Sequence, residues 1–219
     1  MVPDREQYYD GWSALHGGYD PRSSTLTRLW LGWAYDVARP LALRGVTPNA
    51  VTAGGLVVTA AALPLAAGGG RWPLGAALVV VASGLADNLD GAVAVLTAGV
   101  TPWGYLLDSL ADRASDALYL VALRLAGAAT PWCVGAAGAV VLLEYSRARA
   151  GNAGFGEIGV VTVGERPTRI IVTAAALGCA ALAPPRAAWS AGGGAAATAG
   201  VSLVGAAQFL RTARRTLRG

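Results

Sequence analysis

Long apolar runs separated by short polar segments dominate the pattern of this chain. A membrane-spanning helix needs about 20 predominantly apolar residues, and six runs approach that length. We therefore predict an all-α integral membrane protein with six transmembrane helices. Their approximate positions are residues 49–67, 74–96, 103–126, 131–147, 168–183 and 187–210.

Composition supports the membrane interpretation and argues against an ordinary soluble domain. Hydrophobic residues make up 54% of the 219 positions and charged residues only 14%, whereas about a quarter of the residues in a soluble domain are charged. The chain also contains 30 glycines. Small residues of this kind allow neighbouring transmembrane helices to approach closely.

The distribution of arginine predicts the orientation in the membrane. All 17 basic residues are Arg, and most lie in segments that an even number of spans would place on one side. Since positive residues mark the cytoplasmic side, we predict both termini in the cytoplasm and the protein in the cytoplasmic membrane. The same distribution accounts for the net charge of +4 without a nucleic-acid partner. The polar residues near the start, Asp4 and Arg5, are unlike a cleaved signal peptide.

A further helix is predicted before the first span. Leu26, Leu29, Trp30, Trp33 and Val37 recur at helical spacing, which is typical of an amphipathic helix lying in the membrane interface. A soluble helix preceding the membrane domain is the alternative. The predicted organisation is a cytoplasmic N-terminal segment with this helix (1–48), a six-helix catalytic domain (49–210) and a basic cytoplasmic tail (211–219).

Four aspartates interrupt the second and third predicted spans. Asp87 and Asp90 are three residues apart and share a helix face, as do Asp108 and Asp112, which are four apart. Carboxylates within a membrane usually mark a functional site, and four that converge cannot all stay ionised without cations. Oxygen ligands of this kind favour Mg²⁺ or Mn²⁺, and we predict two ions.

Other interpretations of these aspartates remain open at this stage. They could form polar contacts between helices or line a cation pathway. Asp116 continues the same stripe and is either a further ligand or a residue that supports the ligands.

The aspartates belong to a longer pattern that resembles the CDP-alcohol phosphotransferase (CDP-alcohol phosphatidyltransferase) signature. That signature reads Asp-x-x-Asp-Gly-x-x-Ala-Arg, eight residues, then Gly-x-x-x-Asp-x-x-x-Asp. The matching residues here are Asp87, Asp90, Gly91, Ala94, Gly104, Asp108 and Asp112. Every spacing fits, but Val95 stands where the family has arginine. In the family, that arginine contacts the donor diphosphate.

The resemblance implies a phospholipid-synthesis reaction. A CDP-alcohol, often CDP-diacylglycerol, would give its phosphoryl-alcohol unit to an acceptor hydroxyl and release CMP. By family analogy Asp87, Asp90 and Asp108 hold the metals, while Asp112 contacts the second metal and acts as general base. The resemblance also implies a homodimer.

The resemblance extends to residues that contact the donor. Asn49 and Thr52 match the stretch that lines the family's cytidine-nucleotide pocket, although either residue could instead cap a helix. Gly91 and Thr101 stand at positions where the family contacts the donor. Gly104, like Gly91, would let a backbone or a ligand come close.

Arginines after the fourth span are candidates for binding a phosphorylated acceptor such as inositol phosphate or glycerol phosphate. Arg149 and Arg166 are favoured over Arg147 and Arg169, because family members with such acceptors have basic residues in similar places and an Arg fork suits a phosphate. Ordinary positive-inside flanking charge is the alternative. The single histidine, His16, is predicted to be a surface residue and not a catalyst.

Two other functions remain open. A divalent-cation transporter could use the aspartates as its ion site, although transporters place such residues near the membrane midplane beside broken helices. A relative that binds a CDP-lipid without turnover is the other alternative, suggested by Val95.

Overall fold

The computed structural model describes residues 2–155 and 160–218, and in those residues it contains helices and no strands. Two short 3₁₀ turns, Pro21–Ser23 and Pro184–Arg186, separate longer elements. The α-helices are α1 (Arg5–Leu15), α2 (Thr25–Leu43), α3 (Pro48–Ala67), α4 (Trp72–Thr97), α5 (Pro102–Leu125), α6 (Thr130–Asn152), α7 (Arg166–Leu182) and α8 (Ala187–Thr216).

Each predicted span coincides with one of the helices α3 to α8, so the all-helical fold class is confirmed. In the described part of the chain, three segments are long and apolar enough to cross a membrane: α3, α4 and the segment Pro184–Thr216. The other predicted spans, α5 to α7, contain ionisable residues that lower their hydropathy, and α7 has only 17 residues. A total of six membrane crossings therefore stays a prediction.

Helix α2 has two different apolar faces. Leu31, Ala34 and Tyr35 are buried against other helices of the protein. Leu26 and Leu29 remain 79% and 65% exposed, and the exposed Trp30 and Trp33 rings stack with centroids 5.2 Å apart. An exposed apolar stripe on a helix that is already docked is what a membrane interface would cover. The interfacial location of α2 nevertheless stays a prediction.

The chain divides into two compact units. The first unit comprises Met1–Val57 and Ser83–Asp112, and the second comprises Val58–Ala82 and Arg113–Gly219. The first unit therefore joins the N-terminal helices to parts of α3, α4 and α5. Its core lies where α1 and α2 meet the last turns of α4, with Tyr8, Leu31, Tyr35, Val93 and Leu96 buried.

Helix α1 was not expected from the apolar pattern, because it is short and rich in charged residues. It begins with a capping box, in which the Asp4 side chain accepts from the Gln7 amide and the Gln7 side chain accepts from the Asp4 amide. Helix α1 is held on α2 by an ion pair between Arg5 and Asp36 at 2.5 Å. The buried Tyr9 also donates a hydrogen bond to the Arg28 carbonyl.

The second unit is built on close contacts between small residues of α6, α7 and α8. At Gly194 of α8, an added Cβ would lie 2.4 Å from Ala176 Cβ of α7. At Gly205, an added Cβ would lie 2.9 Å from the backbone nitrogen of Gly164. Glycine at these positions thus allows backbones to approach at distances that any side chain would prevent.

A buried ionic network ties the start of α7 to α5 and α6 within the second unit. The Arg169 side chain is only 2% exposed and pairs with Asp116 at 3.1 Å and Glu144 at 3.0 Å. It also donates to the Gly164 carbonyl at 2.7 Å. Arg113 pairs with both carboxylates, at 3.3 and 2.9 Å. Two cations and two carboxylates therefore compensate one another.

We expect Arg169→Leu to destabilise the second unit. The change removes one cation from the buried Asp116, and breaking a buried pair in this way costs about 3–5 kcal/mol. The thermal unfolding temperature of the purified chain in detergent should fall clearly. The matched control, Arg186→Leu, changes an exposed arginine and should leave the unfolding temperature unchanged. Adding Asp116→Asn should recover part of the loss, and equal unfolding temperatures for Arg169→Leu and the control would contradict a stabilising network.

Candidate metal centre and its cavity

Three of the four predicted aspartates come together in the first unit. Asp87 lies on α4, and Asp108 and Asp112 lie one turn apart on α5. One carboxylate oxygen from each lies within 4.8 Å of the corresponding oxygens of the other two, and all three residues are partly buried. The helical spacing of the motif thus produces the convergence predicted from the sequence.

The three carboxylates fit a divalent cation. An ion bound by oxygen ligands at about 2.0–2.6 Å separates any two of those ligands by at most about 5 Å. Oxygens within 4.8 Å of one another satisfy this limit without rearrangement of the helices. An all-oxygen donor set of this kind suits Mg²⁺ or Mn²⁺ better than zinc or copper.

Asp90 is held differently from the other three aspartates. It is 8% exposed, and its two oxygens accept hydrogen bonds from the Thr52 hydroxyl at 2.7 Å and the Gly91 amide at 2.6 Å. Each carboxylate oxygen has two acceptor sites, so these bonds orient Asp90 and still leave it able to bind a cation. Thr52 is thereby placed as a residue that positions Asp90.

A cavity of about 440 Å³ opens beside these carboxylates in the first unit. All five predicted donor-binding residues of this unit line it, together with three of the aspartates. These residues are Asn49, Thr52, Gly91, Thr101, Gly104, Asp87, Asp90 and Asp108. Asp112 belongs to the carboxylate cluster but does not line the cavity.

The first turns of α3 and α5 position the donor-binding residues. The Thr47 hydroxyl accepts a hydrogen bond from the Ala50 amide, so Thr47 caps α3. The alternative that Asn49 or Thr52 caps the helix is therefore wrong, because both lie inside it.

Thr101 precedes α5, and its hydroxyl accepts from the Gly104 amide at 3.0 Å. At Gly104 an added Cβ would lie 3.1 Å from Thr101 Oγ1 and 3.4 Å from Asn49 Oδ1. Glycine at position 104 thus leaves room for these two polar side chains. At Gly91 nothing lies within 4 Å of an added Cβ, so its backbone is open to a ligand.

The same cavity has a wall that the apolar pattern and the motif do not predict. Helices α1 and α2 contribute residues to it, among them Tyr8, Trp12, His16 and Trp30. His16 is exposed, as predicted, yet it lines the cavity. The signal that could have located α1 is its capping box, an Asp followed three residues later by Gln and then by closely spaced aromatic residues.

The predicted acceptor arginines belong to the second unit, where they differ in their surroundings. Arg147 pairs with Glu165 and donates to Thr162, and Arg169 is buried in its ionic network. Arg149 is exposed and Arg166 is partly buried. Arg147 and Arg169 are thus engaged in structural pairs, and acceptor binding by Arg149 and Arg166 stays a prediction.

Glu165 shows how firmly Arg147 is held. Burial raises the pKa of Glu165, but hydrogen bonds from Arg147 and Thr162 outweigh burial and leave the pKa below its usual value. Glu165 is therefore ionised at neutral pH and keeps Arg147 engaged.

Comparison with known proteins identifies relatives over most of the chain. The sequence profile of the family described as CDP-alcohol phosphatidyltransferase matches residues 45–206. The archaetidylinositol phosphate synthase of Aeropyrum pernix is 35% identical over 57% of this chain and 64% of its own length. The phosphatidylinositol phosphate synthase of Mycobacterium marinum is 37% identical over 65% of this chain. The chain spans 62% of the length of that second relative.

Solved structures of one protein share the fold. The phosphatidylinositol phosphate synthase of Mycobacterium tuberculosis, in complex with manganese and citrate, is 28% identical with a TM-score of 0.66. That comparison covers 83% of this chain and 88% of the other. The same protein with CDP-DAG bound gives a TM-score of 0.67 over 82% and 92% of the two chains.

We expect the purified chain to bind Mn²⁺ through the carboxylate cluster. Asp108→Asn removes one anionic ligand from the cluster and should weaken binding by at least about tenfold. Titration followed by electron paramagnetic resonance measures the free Mn²⁺. Asp10→Asn changes an exposed carboxylate of α1 and serves as the control. Equal Mn²⁺ affinity in the two variants would show that the cluster does not hold the ion.

Proposed function

The chain belongs to the CDP-alcohol phosphatidyltransferase family, and on that premise we propose that it is a metal-dependent transferase of phospholipid synthesis. It would transfer a phosphatidyl group from a CDP-linked glycerolipid, with CDP-diacylglycerol as the expected donor, to the hydroxyl of a phosphorylated alcohol. The products are a phospholipid and CMP.

The observation that carries this proposal is the convergence of the motif carboxylates beside a cavity. Three of them meet within 4.8 Å, and Asp90 is oriented toward the same cavity by Thr52. We propose that Asp87, Asp90, Asp108 and Asp112 together hold two divalent ions. When bound, such ions neutralise the charge of the donor's pyrophosphate.

The remaining residues of the site have separate proposed roles. Asn49, Thr52, Gly91, Thr101 and Gly104 would bind the donor, since all of them line the cavity. The acceptor oxygen forms a bond to the lipid-bearing phosphorus, and the bond from that phosphorus to the CMP oxygen breaks. Asp112 takes the proton of the acceptor hydroxyl as general base.

We propose inositol phosphate as the acceptor. Two observations support it. The relatives are named as archaetidylinositol phosphate and phosphatidylinositol phosphate synthases. Arg149 and Arg166 belong to the second unit, where Arg149 is exposed and Arg166 is partly buried. A guanidinium binds a phosphate in a bidentate manner, which suits a phosphorylated acceptor.

The proposal includes a location and an assembly. Six membrane crossings with both termini in the cytoplasm would place the carboxylates near the cytoplasmic surface, where CMP and a polar acceptor are soluble. The N-terminal segment 1–48 would be cytoplasmic, with α2 at the membrane interface, and residues 211–219 would form a basic cytoplasmic tail. Homodimerisation is proposed by analogy with the family.

A second candidate function follows from Val95, which stands where the family signature has arginine. A relative that binds a CDP-lipid without turnover would contain the same cavity and metal cluster. It differs from the enzyme in one measurable respect, the release of CMP.

CMP release from CDP-diacylglycerol in the presence of Mn²⁺ and inositol phosphate tests the enzyme directly. We expect release with the wild-type chain, none after removal of the metal by chelation, and none from Asp112→Asn, which loses the proton acceptor. Asp112→Asn should still bind CDP-diacylglycerol, measured by calorimetry.

Donor binding without CMP release across a panel of phosphorylated and unphosphorylated alcohols would favour the binding protein. Uptake of divalent ions by proteoliposomes without CMP release would favour a transporter.

Acceptor recognition by the second unit predicts a selective defect. Arg149→Gln and Arg166→Gln should each raise the KM for inositol phosphate about tenfold, because a charge-assisted contact to a phosphate is lost. The KM for CDP-diacylglycerol should change little. Arg214→Gln, in the exposed C-terminal part of α8, is the control. A rise in the donor KM alone would instead assign these arginines to the donor.

A further inference from the structure

Helix α1 lies outside the part of the chain that the family profile matches, residues 45–206, yet it borders the cavity beside the carboxylates. Four of its residues or C-terminal neighbours line that cavity: Tyr8, Trp12, Leu15 and His16. The family motif therefore assigns them no role. We propose that α1 forms a wall of the donor pocket, in which the stacked pair of Trp12 and His16 offers an outer ring face to the cytosine of the CDP-lipid.

This inference rests on the proposed function. It adds to the donor site two specificity-determining residues, Trp12 and His16, that are not part of the family motif.

The position of α1 is related to the departure from the family signature. At Gly11, an added Cβ would lie 2.9 Å from Val95 Cγ1, so the backbone of α1 rests directly on Val95. Val95 stands where the signature has an arginine that contacts the donor. In this chain the space beside position 95 is thus occupied by a helix that carries aromatic residues.

Trp12 and His16 stack face to face, so the pair offers an outer ring face to a ligand. Their ring centroids are 3.8 Å apart and the ring planes differ by only 13°. The His16 ring is also fixed by a 2.8 Å hydrogen bond between its Nδ1 and the Trp12 carbonyl. Every nucleobase has a π-face, and stacking on an aromatic side chain contributes substantially to nucleotide binding.

The charges of α1 favour the base over the other parts of the donor. Glu6 and Asp10 are exposed on α1, pair with Arg22 and do not line the cavity. Neither carboxylate would attract the pyrophosphate. The part of α1 that lines the cavity contributes aromatic rings and no arginine for the pyrophosphate, so the ring of cytosine is the part of the donor that best fits the Trp12–His16 pair.

The helix is held well enough to act as a pre-formed wall. Tyr8 and Tyr9 are 1% and 3% exposed, and the Arg5–Asp36 ion pair joins α1 to α2. A pre-organised contact loses less free energy of ordering on binding than a mobile segment would.

Binding of CMP to the full chain in detergent with Mn²⁺, measured by calorimetry, tests the proposal. Trp12→Ala should weaken CMP binding about tenfold, whereas Trp12→Phe should retain most of the affinity. The KM for CDP-diacylglycerol should rise in parallel, and the KM for inositol phosphate should not. Trp189→Ala, which removes an 85% exposed indole of the second unit, is the control.

Displacement of the whole helix provides an independent test. Gly11→Leu forces α1 away from Val95 and should weaken CMP binding as Trp12→Ala does. Ala14→Leu adds the same side chain at an exposed position of α1 and should bind CMP like the wild type. If Trp12→Ala fails to fold, His16→Ala replaces it, since His16 is exposed; its CMP affinity should fall several-fold.

The outcomes separate this inference from the proposed function. Unchanged CMP affinity in Trp12→Ala, or weaker binding of CDP-diacylglycerol alone, would overturn the stacking role while wild-type CMP release still supported the enzyme. A wild-type chain that neither binds CMP nor releases it from CDP-diacylglycerol would overturn both.

Discussion

Mutual repulsion among carboxylates is the constraint around which the first unit is arranged. Two ionised oxygens 4.8 Å apart repel by about 3–4 kcal/mol at the effective dielectric of a protein surface. Such proximity is tolerated when a cation neutralises the group, so the geometry favours a bound cation. At Asp90, hydrogen bonds from the Thr52 hydroxyl and the Gly91 amide offset part of this repulsion, because they stabilise the carboxylate charge.

Much of this centre was predictable from the sequence, because it depends on spacing within helices. Aspartates three or four residues apart share a face, and an apolar environment makes their presence informative. Contacts between distant segments were not predictable in the same way. The pairing of Asp116 with Arg169 spans 53 residues, and no periodicity indicates it. The sequence allows Asp116 as a metal ligand, but in the structure Arg113 and Arg169 pair with its carboxylate.

Helix α1 illustrates a different limit. Hydrophobic periodicity detects helices that bury a wide apolar face, whereas α1 buries two tyrosines and exposes charged residues. The sequence signal for α1 is its capping box.

In the second unit the sequence predicts the arginines as a group. Only the structure separates those with carboxylate partners, Arg147 and Arg169, from the exposed Arg149.

The close contact between Gly11 and Val95 makes these two positions interdependent. A longer side chain at either one must push the helices apart, so neither site can vary freely while the other stays as it is. An arginine in place of Val95 would exceed the space that α1 leaves there, so the seat of this helix depends on the small size of that side chain.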